Sequence, residues 1–353
     1  MNIPQTMKAA VMPKPMEMTM QEIPVPELGP KDVLVKVMAV GVCGSDVHYY
    51  QHGRIGPYIV KKPIILGHEC AGIVVACGEQ VTRVSLGDRV AVEPGVTCGT
   101  CVHCKSGRYN LCPDVEFLAT PPYDGAFVQY IRHREDFLFP IPDSLSFEAA
   151  ALVEPFSVGI HALQRAGFKP GGTVAVIGLG PVGLMAVIAA KALGAHQIIA
   201  SDFEEIRLEA AKSLGATHVI SAANPEAVSE IRRLAGDGVD VALETAGHAK
   251  AVQNAVGSLK RGGKLVIVGL PPDPEVSVNV PFICDNEIDI YGVFRYANTY
   301  PLGIQLLVDH NVNLDPLITD KYPLDETKEA MDRALLHRNE CIKVIVYPNE
   351  LPS

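Results

Sequence analysis

At 353 residues the chain has the length of about two domains, and 48% hydrophobic content without a low-complexity run points to a folded protein. A formal net charge of −10 with no Lys/Arg cluster argues against nucleic acid or an anionic membrane as a partner. The opening MNIPQTMKAAV holds no apolar signal region, so a cytoplasmic protein is the expectation.

Residues 1–150 carry β-branched runs broken by Gly and Pro, at 33–37, 73–75, 89–92 and 127–132. That rhythm predicts short antiparallel strands joined by long functional loops. The stretch GVCGSDVHYY at 41–50 reads as the first of these loops and sets Cys43, Ser45, Asp46 and His48 close together. A connection that only had to turn would use Gly and Asn, whereas these side chains make metal ligands and proton paths. Farther on come ILGHECAG, with adjacent His68 and Glu69, and VEPFSVG, with Glu154. Taken with a nucleotide-binding fold downstream, they suggest a catalytic Zn²⁺ held by a few side chains and open to substrate.

Four of the nine cysteines form Cys98-x2-Cys101-x2-Cys104-x7-Cys112. In an intracellular chain such clustering favours metal over disulfides. Four thiolates in a closed tetrahedral array describe a structural zinc site with no position left for substrate. A bacterial iron–sulfur run begins the same way but closes with a shorter last gap. Cys70, Cys77, Cys284 and Cys341 sit in apolar runs and are expected to be core residues.

From about Gly172 the rhythm changes. Apolar runs at 173–177, 197–200, 218–220, 239–243, 264–268 and 289–293 alternate with helical patterns such as 204–214 and 226–234, which predicts a parallel, doubly wound sheet. Residues 171–190 are uncharged and about as long as a membrane span, but their glycines, their proline and a switch from β to helical pattern identify a strand–turn–helix. Within it, Gly178-x-Gly180-x-x-Gly183 follows a strand and opens a helix, and Asp202 ends the next strand. Glycines there allow a tight turn and close approach of pyrophosphate to the helix N-terminus, and the acid can accept ribose hydroxyls. NAD is therefore the expected cofactor. The tail from about Tyr296 reads as one helical stretch and a closing strand at 342–347, and no internal repeat is present.

GHE, the four-cysteine lobe and GLGPVG, in this order, resemble the zinc-dependent medium-chain alcohol dehydrogenases along nearly the whole chain. VCGSDVHYYQHGRIG, ATPPYDG, VEPFSVGIHA and GVFRYANTYP are similar to the sorbitol (polyol) dehydrogenase branch, bacterial members included. The resemblance implies a GroES-like, β-rich catalytic domain over 1–155 and 296–353, with a zinc lobe at about 95–113, and a Rossmann NAD-binding domain over 156–295. It implies a catalytic zinc on Cys43, His68 and Glu69, with Glu154 reaching it through a water or directly; in the simple alcohol dehydrogenases a second cysteine ligand stands at the position of Glu154. Tyr49, Glu154, Arg295 and Tyr296 are cast as binders of the sugar-alcohol hydroxyls. Gly178, Gly180, Val182, Gly183, Asp202, Arg207, the turn Val268, Gly269, Leu270, and Val293, Phe294 and Arg295 are cast as the NAD site. Ser45 and His48 are placed to pass a proton outward, while Asp46 is left to fix the loop through backbone hydrogen bonds.

The implied activity is NAD-linked oxidation of a polyol secondary hydroxyl to a ketose, sorbitol to fructose first, with two zinc ions per chain in a homotetramer. Xylitol or another pentitol, 2,3-butanediol and threonine keep the chemistry and change the substrate. A non-catalytic zinc- and dinucleotide-binding protein is the reading from a different class. Animal sorbitol dehydrogenases lack the four-cysteine lobe that this chain keeps complete.

Overall fold

A computed structural model describes residues 3–350 and divides the chain into two compact units. The first comprises Met1–Glu154, Tyr300–Val308 and Ile318–Ser353. Its main sheet runs Leu138–Pro140, Arg89–Val92, Glu69–Cys77, Asp32–Gly41, Lys343–Tyr347, Ile318–Pro323 in spatial order, with Tyr130–Arg134 also pairing with Asp32–Gly41. Neighbours are antiparallel except for the last pair. Asp32–Gly41 (DVLVKVMAVG) takes the centre because nearly every residue in it is apolar and buried, as a strand covered on both faces requires. Its register sets Gly41 opposite Glu69 on one side and Ile345 on the other. Strand ends carrying Cys43, Glu69 and Lys343 are thereby brought to one corner of the sheet.

The first unit departs from the sequence expectation in three places. Residues 44–52 are not a loop but the helix Gly44–His52, with Cys43 at its N-cap and Gly53 in a left-handed C-cap. Asp46 makes this possible: its carboxylate accepts the Cys43 N–H, closing a capping box at the helix start. The strand expected from 127 begins at Tyr130, and Val128 makes an isolated bridge to Ala9 instead. The tail holds two helices, Tyr300–Asp309 and Thr327–Leu336, and a second strand, Ile318–Pro323, beside the closing strand.

The second unit, Pro155–Thr299 with Asp309–Leu317, is a six-stranded sheet in which every pair is parallel. Its order is His218–Ser221, Gln197–Asp202, Thr173–Ile177, Val239–Glu244, Leu259–Ile267, Asp289–Gly292. Strand order reverses at Thr173–Ile177, and open sheets of this kind take their ligands at the carboxyl ends of the strands there. Among the described residues no helix is long and apolar enough to cross a membrane.

Candidate active site

Cys43, His68 and Glu69 each offer one ligand atom, and the three atoms lie within 4.8 Å of one another. Asp46 supports this triad from behind. Its Oδ2 accepts the Cys43 N–H at 3.0 Å, its Oδ1 accepts the Gly67 N–H at 3.0 Å, and Oδ1 lies 3.5 Å from His68 Nδ1. A histidine held through one ring nitrogen by a buried carboxylate presents the other to a metal, which is the usual outer arrangement of a zinc ligand. Glu69 Oε1 is buried without a hydrogen-bond partner, and Oε2 ion-pairs with Lys343. An orphaned carboxylate oxygen beside a thiol and an imidazole fits a zinc ion.

Lys343 was not singled out from the sequence. It is 1% exposed, and its Nζ also donates to Val42 O at 2.9 Å. Burial alone would push its pKa down, but Glu69, Cys43 and Glu154 hold it above the ordinary lysine value. The available signal was a lysine inside the otherwise apolar run 342–347.

Ser45 and His48 stand three apart on the helix Gly44–His52, Ser45 half-buried and His48 exposed. Tyr49, on the same helix, is buried in the apolar core of the first unit. Glu154 lies in the first turn of Val153–Arg165, buried and outside the mutual 4.8 Å set, near enough to raise the pKa values of Lys343 and Glu93. Glu93 is itself buried, accepts the Tyr109 hydroxyl at 2.8 Å, and is pushed up to about 7 chiefly by burial.

The sulfurs of Cys98, Cys101, Cys104 and Cys112 also fall within 4.8 Å of one another, with neighbouring separations of 3.5–3.9 Å. Sulfurs at the corners of a tetrahedron around zinc, with Zn–S near 2.3 Å, stand about 3.8 Å apart. The Cys101 and Cys104 N–H groups donate to Cys98 and Cys101 Sγ. Hydrogen bonds from the Thr100 main chain and hydroxyl and from Cys101 hold the Cys98 thiol down to about 6. A thiolate set so arranged fits a structural zinc. Of the four cysteines assigned to the core, Cys70 and Cys341 are buried and Cys77 is half-buried, but Cys284 is exposed. It stands in the short helix Val280–Asp285, among whose residues none is buried.

In the second unit, Gly178 adopts φ +98°, a conformation costly for a side chain, and Gly180 is the N-cap of the helix Pro181–Ala192. A Cβ at Gly180 would meet nothing within 4 Å, whereas one at Gly183 would collide with Gly178 O. Open space at the second glycine and tight packing at the third suit a pyrophosphate resting on the helix N-terminus. Val182 follows in the first helical turn. Asp202 accepts the Leu179 and Glu204 N–H groups at 2.6 and 3.0 Å, and Arg207 Nη1 stands 3.7 Å from its Oδ2. The turn of Val268, Gly269 and Leu270 is anchored by Val268 and Gly269 N–H bonds to Glu244 O. Val293 N–H bonds Ile267 O, Arg295 has φ +55° with its guanidinium 4.7 Å from the Phe294 ring centre, and Tyr296 is buried.

A doubly wound dinucleotide fold joined to a Cys/His/Glu cluster defines a metal-dependent dehydrogenase. The family model described as alcohol dehydrogenase GroES-like domain matches residues 29–143, and that described as zinc-binding dehydrogenase matches 181–309. The sorbitol dehydrogenase of Bacillus subtilis (strain 168) is 62% identical over 98% of this chain and 99% of its own. A solved Escherichia coli oxidoreductase/dehydrogenase of unknown specificity superposes with a TM-score of 0.93 at 39% identity, covering 97% of this chain and 99% of that one. A solved alcohol dehydrogenase from Escherichia coli CFT073, complexed with NADH, gives 0.90 at 28% identity, covering 98% and 100%. The chain belongs to the zinc-dependent medium-chain alcohol dehydrogenase family, in its sorbitol dehydrogenase branch, and is an oxidoreductase with a GroES-like and a Rossmann domain.

Proposed function

We propose that this enzyme oxidises a secondary hydroxyl of a polyol to a ketose with NAD, sorbitol to fructose being its principal reaction. The observation that carries this reading is the 62% identity, end to end, with a sorbitol dehydrogenase, combined with the Cys43, His68, Glu69 cluster.

When bound, zinc would polarise the substrate hydroxyl as a Lewis acid and NAD would take up the hydride. Cys43, His68 and Glu69 hold the metal, with Asp46 fixing the His68 ring and Lys343 balancing the Glu69 charge. Glu154 serves the same site from outside the first set of ligands, through a water. Ser45 and His48 lead a proton along one face of their helix to solvent, and Tyr49, Arg295 and Tyr296 bind further hydroxyls of the substrate. Asp202 accepts the adenosine ribose hydroxyls and the glycine turn takes the pyrophosphate. The four cysteines hold a second, structural zinc, giving two per chain, and the working form is a cytoplasmic homotetramer.

A panel of sorbitol, xylitol, ribitol, threonine and 2,3-butanediol, read by NADH absorbance, tests this. Sorbitol should give the highest kcat/KM. A panel led by the butanediol would replace the substrate assignment, and no turnover with any polyol despite NADH binding would favour a non-catalytic binding protein.

A further inference from the structure

The carboxyl end of the strand Val239–Glu244 carries a buried hub. Glu244 is fully buried, and its Oε1 accepts two main-chain N–H groups, from Ala246 at 2.9 Å and Gly247 at 2.7 Å. Its main-chain carbonyl accepts two more, from Val268 at 2.9 Å and Gly269 at 3.0 Å. The next residue reaches the other way. Thr245 N–H donates to Ile177 O at 2.9 Å, and its hydroxyl donates to Gly178 O at 2.6 Å. Two adjacent residues thus tie together three turns: the glycine turn at 178, the turn at 246–247 and the turn at 268–269.

The packing leaves no slack. A Cβ at Gly269 would stand 2.9 Å from Glu244 Oε2 and 2.6 Å from Gly247 Cα, and a Cβ at Gly183 would stand 2.8 Å from Thr245 Oγ1. An apolar side chain at 244 would leave the Ala246 and Gly247 donors buried without an acceptor. Burial raises the Glu244 pKa, while main-chain N–H bonds, Gly247 and Ala246 first, oppose that rise. In its ionised form its charge-assisted bonds are stronger and shorter than neutral ones, so it then holds such turns more rigidly than an amide would. Loops that bind a ligand are useful only as far as their positions are set beforehand.

We infer that Glu244 and Thr245 are positioning residues of the dinucleotide site, registering the 178 turn and the 268–269 turn against each other so that both meet one cofactor. This rests on the proposal above that those two turns hold NAD. Neither residue takes part in the chemistry. Their removal weakens cofactor binding and leaves the metal centre and the polyol site alone.

Fluorescence titration of zinc-loaded, full-length protein with NADH, well below its unfolding temperature, provides the test. Glu244→Gln should weaken NADH by about tenfold and raise KM for NAD in proportion, with KM for polyol and zinc content unchanged. Thr245→Val should weaken NADH in the same direction, and Thr245→Ser, which restores the hydroxyl, should recover it. If Glu244→Gln and Thr245→Val both bind NADH within about twofold of the parent, the hub serves stability alone and the inference fails. If Glu244→Gln cannot be recovered folded, the Thr245→Val and Thr245→Ser pair decides by the same criterion. A parent protein that binds no NADH would overturn the cofactor assignment itself, a result distinct from parent binding unaffected by the variants.

Discussion

The Lys343 ammonium and the Glu69 carboxylate form an ion pair in which each residue is 1% exposed, and Glu69 is at the same time one corner of the Cys43, His68, Glu69 cluster. On the proposal that the cluster holds zinc, this carboxylate would answer to two cations, the ammonium and the metal. Removing one member of a buried pair leaves an uncompensated charge and costs about 3–5 kcal/mol. In metal-free protein, Lys343→Met should lower stability by about that amount. Zinc should restore part of the loss, since its charge compensates the same carboxylate. Urea unfolding of both proteins with and without zinc measures this, and an unshifted midpoint in metal-free Lys343→Met would show that Lys343 does not balance Glu69.

The two cysteine-containing clusters should separate in their effects. Chelation should abolish turnover by emptying the open triad. Cys101→Ser, which breaks the closed four-sulfur array, should chiefly reduce folding yield and thermal stability, because a structural zinc contributes folding energy directly. Metal analysis should find two zinc ions per chain in the parent and one in Cys101→Ser. One zinc in fully active parent protein would contradict the assignment of the lobe.

His133 and Glu93 give opposite pH dependences from one place in the first unit. The His133 ring donates from Nε2 to Glu93 O at 2.8 Å, and burial pushes its pKa down from 6.5 to about 4. As pH falls below 6.5 the unfolded chain takes up this proton first, so folding loses stability until about pH 4, by about 3 kcal/mol at 1.36 kcal/mol per unit. Glu93 is raised from 4.5 to about 7, so the folded state is protonated first as pH falls, and stability is regained between 7 and 4.5 by a similar amount, about 3 kcal/mol. In the parent the two nearly cancel. His133→Gln should become more stable on acidification from pH 7 to 5, and Glu93→Gln less stable, as read from urea midpoints relative to the parent. Two variants with identical pH slopes would refute this account.

Much of this was legible in the chain. The strand–glycine turn–helix and Asp202 could be placed because each local signal has one physical use, and the four-cysteine spacing could be read because four soft ligands on one short loop match a closed metal site. The helix Gly44–His52 was missed for a physical reason: its nine residues carry little apolar periodicity, and what starts it is Asp46 capping Cys43 N–H, which reads equally well as a turn. Lys343 and Glu69 lie far apart in sequence, and their pairing follows from Gly41 standing opposite both Glu69 and Ile345 in the sheet register. Glu244 ends a strand and looks like any solvated acid until its burial is known.

Preference for NAD over NADP should rest on Asp202. Its carboxylate is not free to swing aside, because it accepts the Leu179 and Glu204 N–H groups at 2.6 and 3.0 Å while retaining lone pairs for ribose hydroxyls. A hydrogen bond to a charged group contributes about 1.5–3 kcal/mol. NADP would replace one hydroxyl by a phosphate dianion, and at about 4 Å with an effective dielectric near 20 the repulsion is about 4 kcal/mol per unit charge. Arg207 could pair with that phosphate, but its Nη1 already stands 3.7 Å from Asp202 Oδ2, so the carboxylate partly neutralises it. The lost bond and the new clash act together and outweigh the one attraction. NAD should be favoured by at least ~100-fold in kcat/KM, equivalent to about 2.7 kcal/mol. Asp202→Ala should erase most of that gap, weakening NAD and admitting NADP with Arg207 now released to its phosphate. Initial rates with each cofactor at limiting concentration measure the ratio, and comparable rates in the parent would exclude Asp202 as the discriminating residue.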